Sequence, residues 1–265
     1  MRILITNDDG IDAPGLAVLH EIANQLVDET GEVWTVAPLI EQSGVGHCVS
    51  YTHPMQIEKR GPRQFAVEGT PADCVLAGLF HVMVDHPPEL VLSGVNRGNN
   101  SGENAVYSGT VGASMEAALH GCRSIALSQS IGVRNRGGDA FDAARTHSVS
   151  LIRKLLELDV WKSSNDYSLF YNVNFPPRPA AEVLGTRLVS QGLRSNGTFR
   201  VVPYQSPSRR QFLYVQGPPQ DGPTQPGTDV HANLAGYVSV TPMRADLTST
   251  DGMRALDGAF GASPT

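Results

Sequence analysis

Several common ways of holding a charged partner are missing from this chain. Cysteine is scarce, with only Cys48, Cys74 and Cys122. The count is odd and no pair has Cys-x-x-Cys spacing. That argues against a disulfide framework and a thiolate zinc site, and it fits a reducing compartment. Positive charge is also short: the formal net charge is −6. Proteins that bind duplex nucleic acid usually carry a basic balance, so a duplex is not expected as partner. No apolar run is long enough to cross a bilayer, so no membrane is expected either. Arg2-Ile3-Leu4-Ile5 opens a strand and is too short for the apolar region of a signal peptide. A cytoplasmic location is the expectation. No Gly-x-Gly-x-x-Gly follows the first strand, and no Gly-Lys-Ser/Thr is present. Neither a dinucleotide fingerprint nor a Walker loop is on offer. There is no internal repeat, and the one biased tract is the Pro/Gly-rich stretch over residues 217–227.

What remains is an ordinary globular composition. Of 265 residues, 40% are hydrophobic and 17% charged. That supports a sizeable core in one large α/β domain, or in a domain with an appendage. Residues 3–5 form an apolar strand ending in the polar turn Asn7-Asp8-Asp9-Gly10. Pro14 suits the first turn of a helix, and Leu16, Leu19, Ile22, Ala23 and Leu26 recur at helical spacing. Residues 33–37 form a second apolar strand, which Pro38 stops. This unit predicts a parallel pair with a crossover helix. The alternation continues with helix over 72–83, strand over 90–92, a small-residue helix over 110–120 and strand over 124–128. A long amphipathic helix over 140–158 and a strand over 169–174 follow. Such alternation predicts a Rossmann-like, doubly wound, mostly parallel sheet. Beyond about Pro176 the pattern changes. Strands are expected over 183–190, 211–216 and 238–242, the last returning to the main sheet, with a loose tail over 258–265. The expected division is a catalytic core over residues 1–180 and an extension over 181–265. That extension would carry an extended β-hairpin/helix arm suited to oligomerisation.

Ligands of open α/β sheets bind at the carboxyl ends of the strands. Three such ends carry polar residues here: Asn7-Asp8-Asp9, the stretch from Glu41 to His47, and Ser93-Gly94-Val95-Asn96-Arg97-Gly98-Asn99-Asn100. Adjacent carboxylates repel unless something compensates them. Taken alone, Asp8-Asp9-Gly10 reads equally well as a turn and as a metal-binding pair. Ser43 and Asn96 add neutral oxygens, and no cysteine is nearby. An oxygen-rich set suits Mg²⁺ or Mn²⁺. Tyr107-Ser108-Gly109-Thr110-Val111-Gly112 lies at a helix start, either as a phosphate cradle or as a plain cap with glycines for packing. His47 reads as a proton donor or a packed loop residue, and Arg97 as a phosphate contact or a solvated side chain. Thr70 and Pro71 look like a helix cap and first turn bordering the pocket.

Together these loops resemble the SurE family of survival proteins, which are 5′/3′-nucleotidases. The matching motifs are Thr6-Asn7-Asp8-Asp9-Gly10, Val36-Ala37-Pro38 with Gln42-Ser43-Gly44, Gly69-Thr70-Pro71-Ala72-Asp73, Ser93-Gly94-Val95-Asn96-Arg97-Gly98-Asn99 and Tyr107-Ser108-Gly109-Thr110-Val111-Gly112. Gly227-Thr228-Asp229, Gly236-Tyr237-Val238-Ser239-Val240-Thr241-Pro242 and Asp246-Leu247-Thr248 extend the match in order. The resemblance implies one divalent ion per subunit, Mg²⁺ or Mn²⁺, held by Asp8, Asp9, Ser43 and Asn96. Asp8, Asp9 and Asn96 would then be the catalytic residues. It also implies a phosphate pocket at Asn99, Ser108, Gly109 and Thr110, and a swapped C-terminal arm in a homodimer or homotetramer. The implied substrate is a nucleoside 5′- or 3′-monophosphate, hydrolysed by a metal-activated water. Two departures stand out. Leu39 occupies a position that usually holds Asp in the family, and residues 198–225 match poorly. The rivals are a phosphatase that forms an aspartyl-phosphate, which expects Asp-x-Asp rather than adjacent carboxylates, and a nucleotide- or metal-sensing module without turnover.

Overall fold

The first strand sets the architecture. Ile3 and Ile5 point to one side and Leu4 to the other, all three fully buried, because successive side chains of a strand alternate between faces. A strand buried on both faces needs helices on both. The computed structural model describes residues 1–135, 137–162, 167–195 and 199–259.

In chain order the elements begin with β1 (Arg2–Thr6), α1 (Pro14–Leu26), β2 (Glu32–Pro38), β3 (Ile57–Gly61), β4 (Gln64–Val67) and α2 (Pro71–Ala77). Next come β5 (Leu90–Arg97), α3 (Asn104–Tyr107), α4 (Gly109–Leu119), β6 (Ser124–Gln129), α5 (Asp142–Leu158) and β7 (Phe170–Phe175). The remainder holds β8 (Thr186–Leu188), β9 (Arg200–Gln205), β10 (Gln211–Gln216), α6 (Asp229–Ala235), β11 (Val238–Met243) and α7 (Thr250–Leu256). The main sheet has nine strands in the order β3-β4-β2-β1-β5-β6-β7-β11-β8. Its central pairings are parallel, while β3 and β11 run antiparallel to β4 and β7. The sheet is thus mostly parallel, as the alternating pattern predicts.

Two cores sandwich it. On one face Ile3, Ile5, Leu92 and Leu127 pack with Leu19 and Ile22 of α1 and Ile152 of α5. On the other, Leu4, Val36 and Val91 pack with Val75 of α2 and Ala113 and Ala117 of α4. The chain leaves β1 toward β2 and β4, then returns past β1 to β5. The β1–β5 boundary is therefore a topological switch point, where open α/β sheets form their ligand crevice.

Some elements differ from the expectation. The helix expected over 72–83 ends as α-helix at Ala77 and continues as a π turn over Gly78–Val82. A Cβ on Gly78 would sit 2.6 Å from the Leu4 side chain, so the chain passes close to the sheet there. The strand expected over 183–190 is only the three-residue β8, flanked by an isolated bridge at Ser190. β3, β4 and β9 carry no clear periodic signal. β9 and β10 form an antiparallel hairpin in which every residue is exposed. β11 does return to the main sheet, between β7 and β8. Of the expected tail, Gly258 and Ala259 form a turn, and residues 260–265 lie outside the described residues.

Candidate functional site

Three strand ends and one helix start converge at the β1–β5 crevice. Asn7, just past β1, closes the turn by donating from Nδ2 to Gly10 O at 2.8 Å. Gly10 has φ +102°, a left-handed conformation that glycine adopts at little cost. The turn presents Asp8 and Asp9 side by side. Gln42 N donates to Asp8 O at 2.7 Å and Gly46 N to Tyr107 O at 2.9 Å. These two bonds draw the loop after β2, and with it Ser43, against both the doublet and the start of α4. His47 at the end of that loop meets Glu116 of α4 at 2.5 Å, and Glu116 also bonds His120.

The small residues of α4 are required by close approach. A Cβ on Gly109 would lie 2.9 Å from Asp8 Cβ, and one on Gly112 would lie 2.5 Å from Gly46 O. Both distances are below any real Cβ contact, so larger residues would force the helix start away from the doublet. Thr70 and Asp73 form a capping box on α2. Pro71 packs behind Gly109 rather than bordering the cavity, contrary to the expectation.

Asp8, Asp9, Ser43, Asn96, Asn99 and Ser108 all line one cavity of about 730 Å³, within the range of roughly 300–1,000 Å³ usual for small-molecule sites. Asp8 is almost wholly buried. Burial pushes its carboxyl up to about 6, assisted by the charge of Asp9 and opposed by the hydrogen bonds from Thr110. Asp9 is also raised, first by burial and then by the nearby Glu41 carboxylate, against a hydrogen bond from Arg97 N. Two adjacent carboxylates held in an unfavourable charge state mark a position where a cation would relieve both.

The donor chemistry agrees with that. Asn96 donates from Nδ2 to Gly98 O at 3.1 Å, which leaves its Oδ1 for another partner. Ser43 Oγ donates to Glu41 Oε1 at 2.7 Å, so its lone pairs remain. Among the described residues no cluster of three or more His, Cys, Asp or Glu forms a metal cage. The set here is instead two carboxylates, one amide oxygen and one hydroxyl. Such a set fits a hard ion that keeps part of its water shell, as Mg²⁺ does.

The expected phosphate residues divide. Asn99 and Ser108 reach the cavity. Thr110 turns the other way: its hydroxyl donates to Asp8 Oδ1 at 2.7 Å and its amide to Oδ2 at 3.2 Å. Gly109 packs on Asp8. Arg97 lines the cavity but binds the doublet through its backbone. Leu39 also lines the cavity, and Glu41 supplies a carboxylate to the same wall two residues later.

Sequence reasoning missed the residues that hold Asn99. Arg194, with a fully buried side chain, donates from Nη2 to Asn99 Oδ1 at 2.9 Å and from Nη1 to Glu103 at 3.0 Å. Ser101 Oγ and Asn104 Nδ2 donate to the same Asn99 oxygen. An arginine only donates, so this cluster fixes which way the amide faces. Asn99 Nδ2 is thereby turned to Gln220 Oε1 at 3.0 Å. Asp229 accepts from Gly102 N and Gly192 N, clamping the same loop to the C-terminal region. Arg194 has no local signal, being one arginine in a Gly/Ser-rich stretch. Asp229 is visible only as part of Gly227-Thr228-Asp229.

Known proteins resemble this chain over most of its length. The family model described as "Survival protein SurE" matches residues 3–198. A protein of Ruegeria pomeroyi named 5′-nucleotidase SurE is 63% identical, covering 98% of this chain and 100% of that relative. One of Roseobacter denitrificans with the same name is 60% identical, covering 97% and 99%. The crystal structure of a SurE protein from Aquifex aeolicus superposes with a TM-score of 0.79 at 34% identity, covering 98% of this chain and 100% of that one.

Proposed function

The chain belongs to the SurE family, and we propose that it is a 5′-nucleotidase that hydrolyses nucleoside monophosphates to nucleoside and phosphate. One observation carries the reading. Buried Asp8, gripped by Thr110, and half-buried Asp9 beside it, both raised in pKa, face one cavity together with the neutral oxygens and amides of Ser43, Asn96, Asn99 and Ser108.

Asp8 and Asp9 hold one divalent ion, Mg²⁺ or Mn²⁺, with Asn96 Oδ1 and Ser43 Oγ beside them. When bound, the ion neutralises phosphoryl charge and acidifies a water for attack on phosphorus. Phosphoryl transfer otherwise asks the protein chiefly for position and charge, and the remaining residues answer that need. Thr110 fixes the Asp8 carboxylate, so its free lone pairs keep one direction. Arg97 N does the same for Asp9. The Ser108 hydroxyl accepts from Val111 N at 3.1 Å, which leaves its hydrogen to donate to a phosphoryl oxygen. Asn99 Nδ2, aimed by Arg194, is a second donor. The start of α4 directs its positive dipole end at Asp8, which accepts from the Thr110 amide. Nucleoside 3′-monophosphates present the same ester to these groups and belong to the proposed range.

The exposed β9–β10 hairpin, with Val201, Leu213 and Val215 in solvent, supports assembly into a homodimer or homotetramer through this arm. No helix among the described residues is long and apolar enough to cross a membrane.

Phosphate release from a nucleoside 5′-monophosphate by the purified chain tests the proposal. Release that stops with chelator and returns with Mg²⁺ or Mn²⁺ supports it; unchanged release in excess chelator refutes the metal assignment. No release under any cation refutes the activity.

A further inference from the structure

One face of α4 meets the candidate site twice. Gly109, Gly112 and Glu116 are spaced by three and four residues, which puts them on one side of the helix. Gly109 lets α4 approach Asp8, and the adjacent Thr110 grips both oxygens of that carboxylate. Gly112 meets the loop after β2: a Cβ there would lie 2.5 Å from Gly46 O and 3.0 Å from His47 Cα. Glu116, one turn further on, receives the His47 ring. From Thr110 to Glu116 the helix advances about 9 Å along its axis. The helix is therefore a spacer between Asp8 and the loop that carries Ser43.

Ser43 needs such a spacer. It is exposed, and its hydroxyl donates to Glu41 of the same loop, so its place depends on where the loop is anchored. One anchor is the bond from Gln42 N to Asp8 O; the other lies at Gly46 and His47. Between them a Cβ on Gly44 would meet no atom within 4 Å, so packing does not fix the span. Glu116 is nearly buried and accepts on both oxygens, from His47 on Oε2 and from His120 on Oε1 at 2.9 Å. His120 meets the Phe80 ring edge to face, with centroids 4.9 Å apart. A carboxylate bonded on both oxygens has one orientation, and a charged acceptor makes a stronger bond than a neutral one.

We propose that Glu116 and His47 are positioning residues for the ion site: they clip the loop after β2 to α4 and so hold Ser43 in register with Asp8. This deepens the metal-dependent reading above and rests on Ser43 being an ion ligand. Neither Glu116 nor His47 lines the cavity with Asp8 and Asp9, so both act through Ser43 rather than on the substrate. Beyond His47 the chain is tied again by α2. The Thr70 hydroxyl donates to Cys48 O at 2.6 Å, and Asp73 accepts from Ser50 N and Oγ at 2.9 and 2.7 Å. Loss of the clip therefore loosens the loop without releasing it, and the effect falls on ion affinity.

The test is a double-mutant cycle of His47→Ala and Ser43→Ala, read as Mn²⁺ affinity by titration calorimetry of the purified chain without substrate. Residues that act through one another couple by roughly 2- to 150-fold in a dissociation constant. His47→Ala weakens Mn²⁺ binding by a factor in that range, and adds nothing in a chain that already carries Ser43→Ala. His47→Gln, whose amide nitrogen can reach the same carboxylate, recovers most of the affinity. Equal weakening in both backgrounds makes His47 a general support of the fold and overturns the clip. So does unchanged affinity in His47→Ala. Unchanged affinity in Ser43→Ala removes Ser43 as a ligand, and the clip with it, while leaving the Asp8-Asp9 site standing. Absence of Mn²⁺ binding by the wild-type chain overturns the metal reading and the clip together.

Discussion

Thr110 holds both oxygens of Asp8, donating to Oδ1 from its hydroxyl at 2.7 Å and to Oδ2 from its amide at 3.2 Å. The two residues are separated by 102 positions, so this contact joins the end of β1 to the start of α4. It also explains why a carboxylate this deeply buried stays oriented.

Thr110→Val keeps the shape and removes the hydroxyl. Hydrogen bonds to charged groups contribute about 1.5–3 kcal/mol, so kcat/KM should fall about 10- to 100-fold, and cation titrations should shift to higher concentration. Thr110→Ser should recover most of both. Equal kinetics for Thr110→Val and wild type would contradict the positioning role.

Cation binding should stabilise the fold in a pH-dependent way. A ligand that binds only the folded state raises its stability by mass action. The Asp8 carboxyl titrates at about 6 without a cation, so protons compete with the ion as the pH falls through that value. The increase in Tm produced by Mn²⁺ should be large at pH 7.5 and should vanish toward pH 5. In Asp8→Asn it should be absent at every pH, together with turnover. An undiminished shift at pH 5 would place the ion elsewhere.

Glu116 carries the opposite pKa shift but is also sensitive to acid. The hydrogen bond from His47, with that from His120, holds its carboxyl below the ordinary 4.5, against the effect of burial. A depressed folded pKa gives stability that is present above the unfolded value and lost as the pH falls through the folded one. Glu116→Gln should therefore unfold at lower urea than wild type at pH 7, and the gap should close as the pH falls well below 4.5. A gap that stays open far below 4.5 would refute the assignment.

Arg194 should report on both stability and substrate affinity. Removing one partner of a buried ion pair costs about 3–5 kcal/mol, so Arg194→Met should lose that much in urea denaturation. Arg194→Lys retains the charge but not the fork, which frees the Asn99 amide to rotate. KM for the nucleotide should rise while kcat changes less. A kcat defect with unchanged KM would separate Arg194 from Asn99.

The extent to which the sequence announces this structure follows from sequence distance. β1, β2, β5, β6 and β7 are buried apolar runs and α1 is a periodic helix, so local pattern suffices for them. β3 (Ile57–Gly61) is a charged edge strand, and β9 contains Pro203 among exposed residues; neither gives an alternating signal. Within the site, Asp8 and Asp9 are adjacent and visible. Ser43 stands out in a Gly-containing loop after β2, and Asn96 in a Gly-flanked run at the carboxyl end of β5. The role of Thr110 was not legible, since its helix-start position suggests a ligand while its contacts go to Asp8. Arg194 reaches Asn99 across 95 residues from a segment without periodicity, and no local rule connects them.

The proposed ion ligands all lie before residue 97, whereas Phe199 and Gln220, which line the same cavity, and Arg194, which holds Asn99, lie after residue 190. Part of the cavity is thus encoded in a stretch of chain far from the proposed ion ligands. Changes in that later stretch can reshape its side of the pocket without touching the residues that hold the ion.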